Sequence, residues 1–140
     1  MKLVVLASGR GSRLEDLTIN NPKCMVKINN NRIIDYMYEL STFFEETIIV
    51  GGHKYELLND VLYNSKIIVN DEYLKTNMVH SLFKSIDYVH DDFIVVYADI
   101  IFDNKIATNL MHKENTILPL KKNWFEYWMQ RMNIDEIKKD

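Results

Sequence analysis

The chain has 140 residues, 47% of them hydrophobic and 26% charged, with a formal net charge of −3. That balance describes one ordinary globular domain over 1–140, and it argues against broad nucleic-acid binding, which needs a basic surface. The lone cysteine, Cys24, excludes an internal disulfide and a thiolate zinc cluster. No apolar run approaches a membrane span, and the run in "MKLVVLASG" is too short for a signal core plus cleavage site, so no membrane association and a cytoplasmic location are expected.

In chain order, "KLVVLA" (2–7) is a continuous apolar run stopped by glycine, the pattern of a strand buried on both faces. "MVKI" (25–28) is a weak second strand. "RIIDYMYELSTFF" carries Ile33, Ile34, Met37, Tyr38, Leu40 and Phe44 at helical spacing. "TIIVGG" (47–52) repeats the strand-then-glycine signature, and "KYELLNDVLY" places Tyr55, Leu58 and Leu62 on one helical face. A strand, "KIIV" (66–69), precedes a helix in which Met78, Leu82, Ile86 and Val89 form one stripe behind an Asn77 N-cap. "FIVVYADI" (93–100) reads as a central strand ending at Asp99. A short helix "IATNLMH", a strand "TILPL" and an amphipathic helix "WFEYWMQRM" follow, the last with Trp124 and Trp128 read as a core stripe.

Strands alternating with helices predict an α/β fold: a mostly parallel, Rossmann-like sheet with helices on both faces. Residues 3–6 and 93–97 are expected side by side in its centre. Ligands of such sheets lie beyond the carboxyl ends of the strands. Three strand ends carry suggestive chemistry there: Gly9 to Arg13, Gly51 to His53, and Asp99.

The loop "SGRGSR" (8–13) has two glycines one residue apart, beside Arg10 and Arg13, in a chain with only four glycines. A dinucleotide fingerprint would need a third glycine where Leu14 stands, and an acid after the next strand; a GxxxxGK[ST] phosphate loop would need a lysine after its last glycine. Neither is present. What remains is a glycine loop that lets backbone N–H groups approach an anion, with a helix start behind it and Arg10, Arg13 and Lys23 to match phosphate oxygens. Pro22 stiffens the chain before that lysine. The bland alternative is a tight turn with two surface arginines.

The run "LASGRGSRLEDLT…NPKCMVKI" resembles the signature of the nucleotidyltransferases that activate sugar phosphates and phosphocholine: a strand, Leu-Ala-Ala/Ser-Gly-x-Gly-Ser/Thr-Arg-Leu, Leu-Thr, then Pro-Lys. "IIVGGH" is similar to that family's second strand and Val-Gly-Tyr loop, with His53 in place of the usual aromatic. "NDEYLKTNMVHSLFKSI" resembles the Asn-x-x-Ser-Leu segment of the branch that includes phosphocholine cytidylyltransferases, and "FIVVYADIIF" the strand ending in a metal-binding aspartate. "KKNWFEYWMQRM" is similar to a segment of that branch in which Asp-Lys-x-Trp is common; here Lys121 replaces the Asp.

The resemblance implies attack of an acceptor phosphate on the α-phosphorus of a nucleoside triphosphate, CTP preferred, with release of pyrophosphate. The acceptor would be a phosphorylated small molecule, phosphocholine-like in preference to a sugar 1-phosphate. Leu6, Ala7, Gly9 and Gly11, together with Ser8, Arg10 and Ser12, would line the nucleotide and its phosphates. Arg13 would hold the leaving pyrophosphate and Lys23 would neutralise charge around the α-phosphorus. Asp99 would bind Mg²⁺, Gly51 and Gly52 would leave room for the base, and Asn77 would belong to the nucleotide site.

Other residues invite blander readings. His53, His80, His90 and His112 show no metal-ligand spacing and are read as incidental, and Cys24 as a small buried residue. Family members are longer and carry a second metal-binding carboxylate near the end of the fold. None of Glu126, Asp135, Glu136 and Asp140 sits in a recognisable strand context, so the domain is expected to be shortened at its C-terminus. Beside the enzyme stands a second reading, a non-catalytic nucleotide-binding module or regulatory subunit on the same fold.

Overall fold

The computed structural model describes residues 1–113, 119, 122–130 and 133–134. Four parallel strands form its sheet: β1 (Lys2–Ala7), β4 (Glu46–Gly51), β5 (Ser65–Val69) and β6 (Phe93–Tyr97), in the spatial order β5-β4-β1-β6. Two-residue strands β2 (Lys27–Ile28) and β3 (Asn31–Arg32) make a separate antiparallel hairpin. Its turn residues Asn29 and Asn30 have φ of 50° and 70°, the left-handed geometry that a two-residue hairpin demands and asparagine tolerates.

The apolar run of β1 is buried on both sides, as its sequence pattern requires. Leu3, Val5 and Ala7 point into a core with Ile34, Met37, Leu40, Leu58 and Ala107. Val4 and Leu6 point to the opposite face, where they meet Ile48, Val50 and Val89, with Leu82 and Ile68 packed alongside. Fully burying one such aliphatic side chain contributes about 1.5–3 kcal/mol, so β1 and β4 anchor the domain. The helix α2 (Met78–Ser85) covers this second face, while α1 (Tyr38–Ser41) and α3 (Asn104–Leu110) lie on the first.

Several elements differ from the expectation. The predicted helix over 32–44 is a 3₁₀ segment (Ile33–Met37) running into the four-residue α1. Its fully buried residues Ile34, Met37 and Leu40 recur every three positions, which suits three residues per turn. The predicted helix over 54–63 shortens to a 3₁₀ turn, Tyr55–Leu58, because Asn59 is extended and Asp60 takes φ 55°. In α2 the fully sheltered positions are Ser81 and Ser85, whereas Met78 and Ile86 of the predicted stripe are exposed. Small serines let the helix sit close on the sheet, and the Ser85 hydroxyl is satisfied within the helix by the Leu82 carbonyl at 2.7 Å.

The strand β6 pairs with β1 as expected but is an edge of the sheet among the described residues, with Val95 and Tyr97 partly exposed. In α4 (Trp124–Met129), Trp124 is half exposed and stacks edge-on against Trp128 at 5.9 Å, so that indole does not belong to a core stripe. Apart from Pro119, the "TILPL" strand lies outside the described residues, as do Lys121, Asp135, Glu136 and Asp140.

Candidate nucleotide site

All four parallel strands end at one edge of the sheet. The register Leu6↔Val50 and Leu6↔Tyr97 brings the loop after β1, Gly51 to His53, and Asp99 to the same side. There a cavity of about 270 Å³ is lined by Leu6 to Gly9, Lys23, Cys24, Tyr73, Thr76, Asn77, Met78, Ser81 and Tyr97 to Asp99. A wider, shallower depression of about 540 Å³ lies between β5 and α2, lined by His80, Phe83, Lys84 and Asp87. It takes Ile67 to Val69 of β5 but neither the glycine loop, Lys23 nor Asp99, so the smaller cavity is the candidate site.

Gly9 is exposed, and a Cβ there would touch nothing within 4 Å, so this stretch of loop leaves open space against the cavity. Gly11 serves packing instead. Its φ is 70°, and a Cβ would meet the Lys23 Cβ at 2.9 Å, so its bare backbone lets the loop lie against the lysine stem. Behind the loop the chain forms a 3₁₀ segment, Ser12–Thr18, with Glu15 at φ 45° inside it. The expected helix start is therefore replaced by a kinked 3₁₀ turn.

Arg10, Ser12 and Arg13 are exposed and lie outside the cavity wall. Neither arginine makes a hydrogen bond or ion pair among the described residues, which leaves both guanidinium forks available beside the cavity mouth.

A 3₁₀ turn, Lys23–Met25, starts behind the buried Pro22, whose carbonyl accepts from Met25 N–H at 2.9 Å. It aims Lys23 across the cavity, and Nζ reaches Asp99 Oδ2 at 2.5 Å. Both side chains keep about a third or more of their surface in solvent. Between them Cys24 is buried, and its thiol is pushed up to about 12, first by burial and further by the nearby Asp99 carboxylate. A thiol held protonated in this way is neither a nucleophile nor a soft metal ligand at neutral pH.

Gly51 and Gly52 are the glycines expected to leave room for the base. Both are buried behind the cavity rather than lining it. A Cβ on Gly51 would meet Tyr55 Cβ at 2.7 Å, and one on Gly52 would meet the Ser8 carbonyl at 2.5 Å and Tyr73 Cβ at 2.7 Å. The space their missing side chains leave is taken by two tyrosines and the Ser8 carbonyl, so both glycines serve close packing. Asn77 does cap α2, accepting from Val79 and His80 N–H at 3.1 and 3.2 Å, and it also faces the cavity.

His53, read as incidental, has a structural task. Its Nε2–H donates to the Thr18 carbonyl at 2.8 Å, and its backbone N–H reaches the Ser8 carbonyl at 3.4 Å, so one residue ties both ends of the glycine loop to the end of β4. Tyr73, Thr76, Met78, Ser81 and Tyr97 were not legible as site residues. The Asn77 cap and the Asp99 strand end were the nearest signals for them.

Asp99 is the one acidic group lining the cavity, and no group of three His, Cys, Asp or Glu suited to a metal occurs among the described residues. A solvent-reaching carboxylate already engaging an ammonium group is a fit donor for a hard cation such as Mg²⁺, which takes one or two protein carboxylates and fills its shell with phosphate oxygens and water.

A match to the MobA-like NTP transferase domain covers residues 3–119. The chain is 37% identical over 147 aligned positions to the CTP:phosphoglutamine cytidylyltransferase of Campylobacter jejuni, covering 94% of this chain and 56% of that protein. It is 27% identical to the choline-phosphate cytidylyltransferase of Streptococcus pneumoniae, covering 79% of this chain and 50% of that one. Among solved structures, the CTP:phosphocholine cytidylyltransferase from Streptococcus pneumoniae superposes with a TM-score of 0.61 at 30% identity, over 70% of this chain and 44% of its own. The inositol-1-phosphate CTP transferase from T. maritima, at 24% identity and a TM-score of 0.67 over 82% of this chain and 49% of that one, shares the fold. The chain thus spans about half the length of the curated relatives it matches. With the parallel sheet, the glycine loop and the Pro-Lys turn converging on one cavity, the chain belongs to the MobA-like NTP transferase domain family.

Proposed function

We propose that this domain binds CTP with Mg²⁺ and transfers its cytidylyl group to a phosphorylated small-molecule acceptor, releasing pyrophosphate. The observation that carries the reading is the meeting of Lys23 and Asp99 over a cavity floored by Leu6 to Gly9. A cationic and a metal-competent anionic group are held together beside an open glycine backbone. The cavity of about 270 Å³ is small against the roughly 300–1,000 Å³ of ordinary small-molecule sites. It suits the nucleoside, with the phosphates running out over Gly9 toward Arg10 and Arg13.

The reacting groups are all anionic, so the protein's work is positioning and charge neutralisation. Gly9 offers backbone close to the phosphates. Arg13 holds the β- and γ-phosphates by charge-assisted bonds, and Lys23 places its ammonium where negative charge builds around the α-phosphorus. Asp99 holds the Mg²⁺, which when bound supplies Lewis-acid charge to the phosphate oxygens. The buried thiol of Cys24 excludes water from beneath the pair without adding a competing nucleophile.

The second reading, a nucleotide-binding module without turnover, draws support from Asp99 being the one carboxylate that lines the cavity among the described residues. Pyrophosphate release separates the two. With CTP, Mg²⁺ and phosphocholine or an acyclic phosphorylated acceptor, the transferase releases pyrophosphate in proportion to acceptor consumed. Tight CTP binding with no release under any acceptor establishes the module. Absence of CTP binding removes both.

A further inference from the structure

Asn70 follows directly on β5 and is 1% exposed, yet it carries a full amide. Its backbone N–H donates to the Gly51 carbonyl at 2.8 Å, fixing it to the end of β4. Its side-chain Oδ1 accepts from Glu72 N–H at 3.1 Å, and its Nδ2 donates to Thr76 Oγ1 and to Ser81 Oγ, both at 3.0 Å. The two hydroxyls pass the chain on, Thr76 to the Glu72 carbonyl at 2.9 Å and Ser81 to the Asn77 carbonyl at 3.4 Å. One buried side chain therefore organises the whole stretch from Glu72 to Ser81.

That stretch is one wall of the candidate site. Tyr73, Thr76, Asn77, Met78 and Ser81 line the cavity opposite Lys23 and Asp99, whereas Asn70 does not reach it. Other side-chain ties are to residues beside or within this loop: Asn77 accepts from Val79 and His80 N–H, Tyr97 Oη lies 2.7 Å from Met78 Sδ, and the half-exposed pair Lys84–Asp71 stands at 3.1 Å. Exposed pairs of this kind hold little. A buried amide with both donors and its acceptor engaged holds more, because freeing any of them strands a polar group away from water.

We infer that Asn70 is a positioning residue for the nucleotide. It sets the Tyr73 to Ser81 wall before ligand arrives, so that the cavity does not have to be ordered at the cost of binding affinity. The inference rests on the nucleotide reading above, although the tie between Asn70 and the wall does not.

The test uses the full chain, with CTP and Mg²⁺ in calorimetry and amide hydrogen exchange without ligand. Asn70→Asp keeps shape and the acceptor for Glu72 but loses both donors. CTP affinity is expected to fall about tenfold, with faster exchange confined to residues 72–81 while β1 and β4 amides stay protected. Ser81→Ala should produce a smaller loss in the native background and almost none on top of Asn70→Ala, since the two share one bond. If Asn70→Ala does not fold, Ser81→Ala and Thr76→Val carry the comparison. Unchanged CTP affinity in Asn70→Asp overturns the proposal, as does exchange that quickens evenly through the sheet, which marks a merely structural asparagine. Failure of the unsubstituted chain to bind CTP overturns the nucleotide reading and this inference with it. That failure is told apart because it appears before any substitution is made.

Discussion

The ammonium of Lys23 stands 2.5 Å from the Asp99 carboxylate, although 76 residues separate them in sequence. Each of the two groups expected to act on a polyphosphate is thus the other's partner. On the proposed reading, a cation held by Asp99 would free Lys23 to turn toward phosphate. With both side chains a third or more exposed, the pair itself contributes at most about 1 kcal/mol to folding. Lys23→Met should leave Tm nearly unchanged while abolishing most pyrophosphate release. If its charge acts mainly in the transition state, kcat should fall more than KM rises. Asp99→Asn should lower activity steeply, with partial recovery at high Mg²⁺, and the double variant should be less than additive. Normal turnover and normal Mg²⁺ dependence in Asp99→Asn would reduce Asp99 to a strand-end residue.

Arg13 is exposed and makes no bond among the described residues, so its removal should cost no stability. Arg13→Ala should nevertheless weaken CTP binding by roughly 1.5–3 kcal/mol, the worth of charge-assisted hydrogen bonds. Calorimetry on the two proteins, beside their melting curves, decides it: equal affinities would move the phosphates elsewhere.

The glycines divide into two classes that substitution should separate. Gly9→Ala meets no atom within 4 Å, so Tm should hold while nucleotide affinity drops. Gly11→Ala must place a Cβ at φ 70° against the Lys23 stem, at a cost of about 1–2 kcal/mol from the left-handed backbone alone. Gly52→Ala drives a Cβ to 2.5 Å from the Ser8 carbonyl and should be the worst of the three, lowering soluble yield. A Gly52→Ala protein with native Tm would contradict the packing described here.

The Asp35 carboxylate accepts from its own cap, Arg32, through Nε at 2.8 Å and the backbone N–H at 2.8 Å. The Arg32 side-chain bond, ahead of the other contributions, holds its carboxyl below the usual carboxylate range. A folded value below the unfolded one means that the stabilisation is fully present above the ordinary carboxylate range. It is lost as pH falls through the lower folded value. Denaturant midpoints from pH 7 down to pH 3 should therefore decline less in Asp35→Asn, which has no proton to gain there, than in the native chain. Identical pH profiles would show the pair to be energetically silent.

The strands of the site were legible because their patterns are local. β4 ends at Gly51 and β1 two residues short of Gly9, each after an apolar run, and Asp99 closes a third such run. Asn77 announced its helix start by the ordinary chemistry of a cap. The helices of the first face were less legible, since Ile34, Met37 and Leu40 fit a three-residue as well as a 3.6-residue turn. The edge position of β6 among the described residues was hidden because "FIVVY" reads as buried on both faces, whereas Val95 and Tyr97 reach solvent. Nothing local marked Asn70 or His53, whose partners lie on other elements: a buried amide and a surface one look alike in a sequence.

The placement of β1 between two later strands governs the order of assembly. Lys2 pairs with Glu46 on one side and with Phe93 on the other. β1, made before both of its neighbours, is thus completed only after β6 has been made. Until then Leu3 to Leu6 have no second edge to join, and a chain stopped short of Phe93 presents a long apolar edge to its neighbours. Such pairings close large loops and fold slowly. The cavity floor belongs to that same strand, so ligand competence and the finished core arrive together in the life of each molecule.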